Sequence, residues 1–424
     1  MTHMGQVEDK VQSYLMPTYK PASVTFVSGK GPYLFDQKGR KYLDFLSGIA
    51  VTSLGHAHEK IVAHVTEQAH KLWHVSNLFH NELAEEVAKL IDALIMFGEL
   101  KSDSASGEAT PEGMGRVFFA NSGAESIECA LKLARKCGAG RSYKIISFDG
   151  SFHGRTFGAL SATAQPGKKQ DFAPMLEGFI HIPYGDIDAL ENILAQNQVS
   201  ADTTETYNLV AAVLVEPIQG ENAIVVPPAN YLKDIRSLCD RYGVLMIADE
   251  IQTGLGRTGE WFGFQHDHIL PDIVTLAKSL ANGMPIGACW AKDHVALNFA
   301  PGDHGSTFGG QPLALSAAKA TLEELVTLMA PEKAKTLGAA LVDRLSGLPG
   351  IEEVRGKGLL LGIKLIPRIN NVDFVGKALS LGLVLNAQSS NVIRLAPPYI
   401  IDESHIDEAV GIMAKLLGGE SYDI

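Results

Sequence analysis

The middle of the chain alternates between short, nearly continuous apolar runs and stretches with apolar residues at helical spacing. Continuous apolar runs of this length are typical of strands buried on both faces of a parallel sheet. Strands are predicted at 116–120, 144–148, 210–215, 244–248 and 272–276. Helices are predicted at 124–137 and 231–242. Strands that alternate with helices indicate an α/β fold with a mostly parallel central sheet.

The two ends of the chain have a different pattern. Residues 24–45 alternate between polar and apolar and carry glycine turns, which predicts a small antiparallel hairpin region. Residues 313–424 predict helices at both ends, with short strands such as Leu359–Leu365 between them. We therefore expect an N-terminal arm with a small-domain hairpin region (1–60), a large α/β domain (61–312) and a smaller C-terminal α+β domain (313–424).

Two polar stretches interrupt the periodic segments. Lys101–Gly115 is dense in serine, glycine and acidic residues, and Asn197–Thr206 is almost wholly polar. Segments of this composition between periodic elements are typical of surface loops. We expect both stretches to be solvent-facing loops.

Composition narrows the class of protein. Hydrophobic residues make up 46% and charged residues 20%, which suits a globular chain with a large core and argues against disorder. The formal net charge of −12 makes nucleic acid an improbable partner. The sequence has no apolar run long enough for a membrane span and no apolar core of a secretory signal near its first residues. We expect a cytoplasmic protein.

The sulfur and imidazole side chains do not form a metal-binding pattern. Cys129, Cys137, Cys239 and Cys289 are scattered and form no CxxC pair, so reduced structural thiols are expected. Two H-x-H pairs, at 56–58 and 266–268, lack further ligands at metal-binding spacing. We therefore expect no metal site.

Lys278 and Asp249 are the first candidates for catalytic residues. Asp249 ends one apolar strand, and Lys278 follows the next strand along the chain. A partly desolvated lysine has a lowered pKa, and its neutral amine can condense with an aldehyde. The carboxyl ends of parallel strands face the ligand crevice, where a carboxylate can keep a pyridinium nitrogen protonated. Taken singly, Lys278 is also explained by a lysine that reaches solvent, and Asp249 by a helix or turn cap.

Two further segments follow strands in the same way. Asn121–Glu125 opens a helix, where backbone N–H groups can bind a phosphate and Gly123 permits close approach; an ordinary N-cap is the alternative. Phe152 and Arg155 follow the strand at 144–148. The ring of Phe152 can stack on a planar ligand, and the guanidinium of Arg155 can bind a carboxylate with two hydrogen bonds. The alternative is that Phe152 packs in the core and Arg155 lies on a solvated face.

Arg394 lies in an apolar context, NVIRLAPP, so its guanidinium needs a carboxylate partner, either from a ligand or from Glu221. The chain has no GxSxG or P-loop pattern, which argues against α/β-hydrolases and P-loop NTPases. A GxGxxG occurs at 254–259, but it opens no predicted helix and so does not indicate a Rossmann dehydrogenase.

Seven segments in one order resemble the class III aminotransferases of pyridoxal-phosphate (PLP) fold type I: ANSGAES, FHGRT, VEPIQGE, ADEIQTGLGRTG, LAKSLANGMPIGA, HGSTFGGQPLA and VIRLAPP. The resemblance extends from about Tyr19 to Pro398. DFLSGIAVTSLGHAH, KLWHVSNLFHN and FHGRT are most similar to the acetylornithine aminotransferase subfamily. The resemblance implies a PLP enzyme of arginine biosynthesis. It would convert N2-acetyl-L-ornithine and 2-oxoglutarate to N-acetyl-L-glutamate 5-semialdehyde and L-glutamate, as a homodimer with shared active sites.

The resemblance also implies cofactor contacts. Lys278 would hold PLP as a Schiff base and move the proton, and Asp249 would pair with the pyridine nitrogen. Gln252 would lie beside the phenolic oxygen and Phe152 would stack on the ring. The phosphate would be held by the backbone N–H groups of Gly123 and Ala124 and by Thr307 of the other subunit.

Substrate contacts follow from the same resemblance. Ser306 and Arg155 would contact acetylornithine, and Tyr19 is a further substrate-binding position. Arg394 would take the carboxylate of 2-oxoglutarate or glutamate, with Glu221 masking it in the other half-reaction.

Two departures from the family pattern lie near the substrate entrance. Gln311 stands where the family often has asparagine, and Asn222 and Ala223 replace glycines. These departures bear on the choice of amino acceptor. Other amino donors also stay open: succinylornithine, ornithine, N-succinyl-diaminopimelate or a lysine-pathway semialdehyde. A PLP-binding protein without turnover is the alternative of a different class.

Overall fold

The computed structural model describes residues 14–102, 114–201 and 205–418. The first part of the chain forms three strands, one single turn and two longer helices. They are β1 (Phe26–Lys30), β2 (Tyr33–Asp36), β3 (Lys41–Asp44), α1 (Ser47–Ala50), α2 (Glu59–Ala69) and α3 (Glu82–Ser102). Strands β1, β2 and β3 pair antiparallel in sequence order, which confirms the hairpin region predicted at 24–45.

The middle of the chain forms β4 (Gly115–Ala120), α4 (Gly123–Cys137), β5 (Lys144–Phe148), α5 (Phe157–Ala162), β6 (Phe179–Ile182), α6 (Ile187–Gln196), β7 (Gln198–Ala201), β8 (Glu205–Asn208), β9 (Val210–Val215), α7 (Tyr231–Tyr242), β10 (Leu245–Asp249), β11 (Ile273–Leu276), β12 (Gly287–Lys292) and α8 (Asp293–Ala296). The five predicted strands and two predicted helices are therefore confirmed, with ends that differ by at most one residue.

The last part of the chain forms α9 (Pro312–Thr327), α10 (Ala330–Ser346), β13 (Ile351–Lys357), β14 (Leu360–Leu365), α11 (Asn371–Leu381), β15 (Leu383–Val384), β16 (Asn386–Ala387), β17 (Val392–Leu395) and α12 (Glu403–Gly418). Strands β13, β14, β17 and β16 form an antiparallel sheet in that spatial order. Helices at both ends with short strands between them were predicted here.

The centre of the molecule is a seven-stranded sheet in the order β4-β12-β11-β10-β9-β5-β6. Strand β12 is antiparallel to both neighbours, and the other adjacent pairs are parallel. The connection at 277–286 is too short for the crossover that a parallel pair needs, so β12 returns antiparallel. Every residue of β9 and β11 is buried. The predicted α/β fold with a mostly parallel central sheet is confirmed.

The direction of these strands positions the site. Because β5, β9, β10 and β11 are parallel, their carboxyl ends meet at one edge of the sheet. Phe152 follows β5, Glu216 follows β9, Asp249 ends β10 and Lys278 follows β11. Side chains far apart in sequence are thereby brought to one edge.

The N-terminal strands share a sheet with the C-terminal part of the chain. Strand β15 pairs parallel with β3 through Leu383 and Leu43, so the order is β1-β2-β3-β15. Both leucines are fully buried. The hydrophobic pattern predicts the hairpin but carries no information about this long-range pairing.

The expectation of a loop at Asn197–Thr206 is wrong. Strands β7 and β8 form an antiparallel hairpin in which Val199 pairs with Tyr207 and Ser200 with Thr206. The predicted loop ended at Thr206, in the middle of β8. Tyr207, a residue that favours strands, therefore fell outside the stretch predicted to be a loop. The other expected loop, Lys101–Gly115, falls largely outside the described residues. Across the described ranges, no helix combines the length and apolarity that crossing a membrane requires.

Candidate active site

A cavity of about 390 Å³ opens at the carboxyl edge of the central sheet and is here called the Lys278 cavity. Seven residues predicted from the sequence line it: Gly123, Ala124, Phe152, Arg155, Asp249, Gln252 and Lys278. The volume lies in the range typical of small-molecule and cofactor sites. The structure therefore brings together most of the predicted site.

Lys278 begins a short 3-10 turn directly after β11, with a backbone φ of +44°. This left-handed conformation is uncommon for a residue with a side chain and is concentrated at functional sites. The next residue fixes the turn, because Ser279 Oγ lies 2.7 Å from Ser53 Oγ and donates to the carbonyl of Ala50 at 2.9 Å. The turn is thus anchored immediately beside the lysine.

Burial lowers the pKa of Lys278 to about 8, and the positive charge of Arg394 contributes the next-largest lowering. The carboxylates of Glu221, Asp249 and Glu216 act in the opposite direction. A lysine with this pKa has a substantial neutral fraction in mildly alkaline solution. The surroundings of Lys278 therefore favour the neutral amine that the sequence predicts.

Asp249 is 4% exposed and is held by three hydrogen bonds. Its Oδ2 lies 2.7 Å from Nδ1 of His153. Its Oδ1 accepts from the backbone N–H of Ile251 at 3.1 Å and from Thr275 Oγ1 at 3.4 Å. These contacts fix the carboxylate on one wall of the cavity.

His153 was not singled out in the sequence, although it stands inside the FHGRT segment next to Phe152. Its side chain is buried, and its Nε2 has no hydrogen-bond partner among the described residues. The signal that could have found His153 is its place in the segment that follows β5 and carries Phe152. A histidine is seldom buried without a partner, so such a position indicates a functional contact.

Helix α4 begins at the cavity with Gly123 as its first residue. Ser122 caps the helix, with Oγ accepting from the N–H of Glu125 at 3.3 Å. The helix provides no acceptor for the N–H groups of Gly123 and Ala124, which suits an anion at this position. A Cβ at Gly123 would lie 2.7 Å from Cδ1 of Ile251. The N-cap of α4 is therefore compatible with the predicted phosphate site.

Glu216 is a second residue that was not predicted. Its carboxylate accepts from the N–H of Phe152 at 3.0 Å and from that of Gly220 at 3.2 Å. Burial raises the pKa of Glu216 to about 7, with His153 acting to lower it and Asp249 to raise it. Glu216 follows β9, so the strand-end pattern that indicated Asp249 could have found it as well.

Arg394 is 1% exposed and is bound on several sides. Its Nη1 donates to Glu221 Oε1 at 2.7 Å and to Gln252 Oε1 at 3.1 Å, and its Nη2 donates to Asn386 Oδ1 at 2.9 Å. Burial alone would raise the pKa of Glu221, but Arg394 holds it below its ordinary value, with Lys278 and Lys168 adding to the lowering. The internal carboxylate partner considered for Arg394 is present.

Arg394 and Glu221 line a second cavity, of about 880 Å³, here called the Arg394 cavity. Gln252 connects the two, because it lines the Lys278 cavity and accepts a hydrogen bond from Arg394. A substrate that reaches both cavities would extend past Gln252.

Three predicted site residues lie outside the lining of both cavities. Ser306 is linked to the Lys278 cavity through Asn121, whose Nδ2 donates to Ser306 Oγ at 3.0 Å. Thr307 is exposed, and Tyr19 is 89% exposed. The single chain does not bring Thr307 or Tyr19 to the lysine.

The donor set fits pyridoxal phosphate on three independent points. Unpaired N–H groups at the start of α4 suit its phosphate, and the fixed carboxylate of Asp249 suits its pyridine nitrogen. Lys278, with a lowered pKa in the same cavity, suits its aldehyde. Among the residues that the structure describes, no group of three or more His, Cys, Asp or Glu side chains could hold a metal ion.

Comparisons with known proteins agree over almost the whole chain. A family model described as aminotransferase class-III matches residues 14–417. The acetylornithine aminotransferase of Methanopyrus kandleri is 43% identical over 408 residues, which are 96% of this chain and 97% of that protein.

Two solved structures have a similar fold. An ornithine aminotransferase structure from Toxoplasma gondii, described as showing partial occupancy of PLP at its active site, has a TM-score of 0.83 and 34% identity, covering 96% of this chain and 92% of that one. The N-acetylornithine aminotransferase of Stenotrophomonas maltophilia has a TM-score of 0.77 and 32% identity, covering 94% and 96% respectively.

Proposed function

This chain belongs to the class-III aminotransferases, and from that premise we propose that it transfers the δ-amino group of N2-acetyl-L-ornithine to 2-oxoglutarate. The products are N-acetyl-L-glutamate 5-semialdehyde and L-glutamate, in arginine biosynthesis. The chain is a PLP-dependent transaminase. The donor is proposed because relatives at about 40% identity over nearly the full length are acetylornithine aminotransferases.

The observation that carries the proposed roles is the meeting of Lys278, Asp249 and the start of α4 in one cavity. Bound PLP supplies an aldehyde carbon that exchanges amino groups and a protonated ring that accepts electron density. Lys278 would hold the aldehyde of the cofactor, and its free Nζ would serve as the base that moves a proton during transfer of the amino group. Asp249 would keep the ring nitrogen protonated.

The other walls of the Lys278 cavity orient the cofactor. Phe152 would pack on the face of the ring, and Gln252 would lie beside the phenolic oxygen. Gly123 and Ala124 would donate their N–H groups to the phosphate. Asp249 is fixed by three hydrogen bonds, and Lys278 lies in an anchored turn. The carboxylate of Asp249 and the backbone of Lys278 are therefore positioned before substrate arrives.

Substrate binding is proposed to divide between the two cavities. Arg155, which lines the Lys278 cavity, would contact acetylornithine. Ser306 and Tyr19 stay proposed contacts of acetylornithine, although they line neither cavity in the single chain. Arg394 binds the carboxylate next to the reacting carbon of 2-oxoglutarate or glutamate, and Glu221 masks it when acetylornithine is bound. The 2.7 Å ion pair of Arg394 and Glu221 supports this masking. Glutamate or 2-oxoglutarate would displace Glu221 because a substrate carboxylate can bond the guanidinium in the same way.

The assembly we propose is a cytoplasmic homodimer with shared active sites. Thr307 is exposed and outside the Lys278 cavity of its own chain, which leaves it accessible to the phosphate of a partner subunit.

We also propose that the chain divides into domains at 1–60, 61–312 and 313–424, since the strands of the seven-stranded sheet all lie within the second range.

A panel of amines tests the proposed donor. The purified holoenzyme is assayed with 2-oxoglutarate and with acetylornithine, succinylornithine, ornithine or N-succinyl-diaminopimelate, and kcat/KM is compared. Acetylornithine is expected to give the highest value. A higher value for another amine would replace the donor while leaving the transaminase assignment in place.

A further inference from the structure

Lys168 lines the Arg394 cavity and is positioned by a short turn. The turn is the 3-10 segment Pro166–Lys168, which lies between α5 and β6. The N–H of Lys168 donates to the carbonyl of Gln165 at 3.0 Å, and Nε2 of Gln165 donates to the carbonyl of Gly150 at 2.8 Å. The turn is therefore tied to the end of β5, beside the segment that carries Phe152.

Lys168 and Arg155 lie over the same aromatic ring. Nζ of Lys168 is 5.1 Å from the ring centroid of Phe152, and Cζ of Arg155 is 5.7 Å from it. Within the described residues, neither cation forms an ion pair or a hydrogen bond through its side chain. Burial lowers the pKa of Lys168, the negative charge of Glu221 acts to raise it, and the like charges of Arg155 and Arg394 act to lower it. The two cations repel each other in this arrangement.

Neither of the two described carboxylates nearest in the Arg394 cavity forms an ion pair with Lys168 or Arg155. Glu221 is bound to Arg394 at 2.7 Å, so its charge is already shared with that guanidinium. Asp149 also lines the Arg394 cavity, but it is exposed and forms no ion pair with Lys168. Lys168 is half-buried without an ion-pair partner, and Arg155 is exposed beside it. A ligand carboxylate placed between the two cations would therefore be favoured.

We propose that Lys168 and Arg155 together bind the substrate carboxylate remote from the reacting carbon. This inference rests on the proposed function, in which acetylornithine and 2-oxoglutarate each carry such a carboxylate. Arg155 offers a planar fork and Lys168 a point charge, so the two can contact one carboxylate from different directions. Lys168 is in this account a substrate-binding residue that favours amines and oxoacids with a distal carboxylate.

The chain offers a matched control in Lys169. Its Nζ lies 2.7 Å from Nε2 of His181, and it lines neither cavity. Lys168→Met and Lys169→Met remove one positive charge each from adjacent positions with similar burial. Lys168→Arg keeps the charge and separates its effect from packing against Phe152.

The first measurement compares acetylornithine with N-acetylputrescine, which differs from it only by lacking the carboxylate. In Lys168→Met the ratio of kcat/KM for acetylornithine over N-acetylputrescine is expected to fall roughly ten-fold or more, the usual effect of losing a charged hydrogen bond. Lys169→Met should leave the ratio at the wild-type value, and Lys168→Arg should recover most of it. Equal losses for both amines would overturn the inference.

The second measurement does not depend on the amino donor. Calorimetric titration of the holoenzyme with glutarate is expected to give roughly ten-fold weaker binding in Lys168→Met, and no change in Lys169→Met. Equal affinities in the two variants, or no glutarate binding to the wild type, would overturn the role of Lys168. Failure of the wild type to use acetylornithine would instead remove the proposed donor, and the glutarate comparison would still decide the role of Lys168.

Discussion

At the scale of the residue, the reactivity of Lys278 follows from its surroundings. Lys278 follows β11, a strand in which every residue is buried. Burial lowers the pKa of its amine, and the positive charge of Arg394 lowers it further. Both influences favour the neutral amine. Glu221 reduces the lowering because its negative charge stabilises the ammonium. The protonation of Lys278 is thus coupled to the same ion pair that is proposed to select between substrates.

A pH profile tests this coupling. The folded-state pKa of Lys278 lies below its ordinary value of 10.5, so the neutral fraction rises as pH passes through about 8. The rate at which apoprotein bonds PLP, followed by absorbance, should rise with pH and level off above that value. Glu221→Gln removes a charge that raises this pKa, so its profile should shift to lower pH. A midpoint near 10 in the wild type, or a shift to higher pH in the variant, would contradict the account.

At the scale of the element, the sequence predicted that functional residues lie at the carboxyl ends of the sheet strands. It did not predict every residue that lies there. Lys278 and Asp249 stand at the ends of continuous apolar strands, a pattern that is visible in the sequence. His153 was missed because its role depends on Asp249, which is 96 residues away and comes close only through the sheet. Glu216 was missed although it obeys the same strand-end rule. The hairpin of β7 and β8 was missed because its strands are short and polar.

The start of helix α4 yields a prediction about cofactor affinity. Gly123→Ala would place a Cβ 2.7 Å from Cδ1 of Ile251, so the helix start or Ile251 must shift and disturb the phosphate site. The dissociation constant for PLP, measured by titration of apoprotein, is expected to rise at least roughly ten-fold, the effect of losing one charge-assisted hydrogen bond.

Two variants make this prediction specific. Ile251→Val removes the Cδ1 atom, so the double variant Gly123→Ala/Ile251→Val should recover part of the affinity. Gly411→Ala lies in α12, where a Cβ meets no atom within 4 Å, and it should bind PLP like the wild type. Unchanged affinity in Gly123→Ala would show that this backbone does not hold the phosphate.

At the scale of the whole molecule, the central sheet assembles the Lys278 cavity from one chain, while the exposed Thr307 is proposed to act in the partner subunit. The sequence pattern predicted the fold class but could not show that β15 closes the N-terminal sheet. Pairing between Leu383 and Leu43 depends on the packing of the whole chain. The same limit applies to contacts between two chains, which no hydrophobic periodicity encodes.

A complementation experiment tests the shared site. Lys278→Ala removes the covalent attachment, and Thr307→Asp places a negative charge where the partner's phosphate is expected. Each variant alone should be nearly inactive. When both are denatured and refolded together, half of the dimers contain one of each chain, and each of these has one intact site. Activity should reach about a quarter of the wild-type value. Activity no higher than the mean of the two separate variants would place Thr307 in its own chain's site.

The most direct test of the central claim is borohydride reduction of the holoprotein followed by peptide mapping. Reduction fixes a lysine-bound PLP as a stable secondary amine on the residue that holds it. The account predicts the pyridoxyl group on Lys278 and on no other lysine, with loss of activity proportional to labelling. A holoprotein whose label lies on a different lysine, or whose Lys278 peptide stays unmodified, would contradict it.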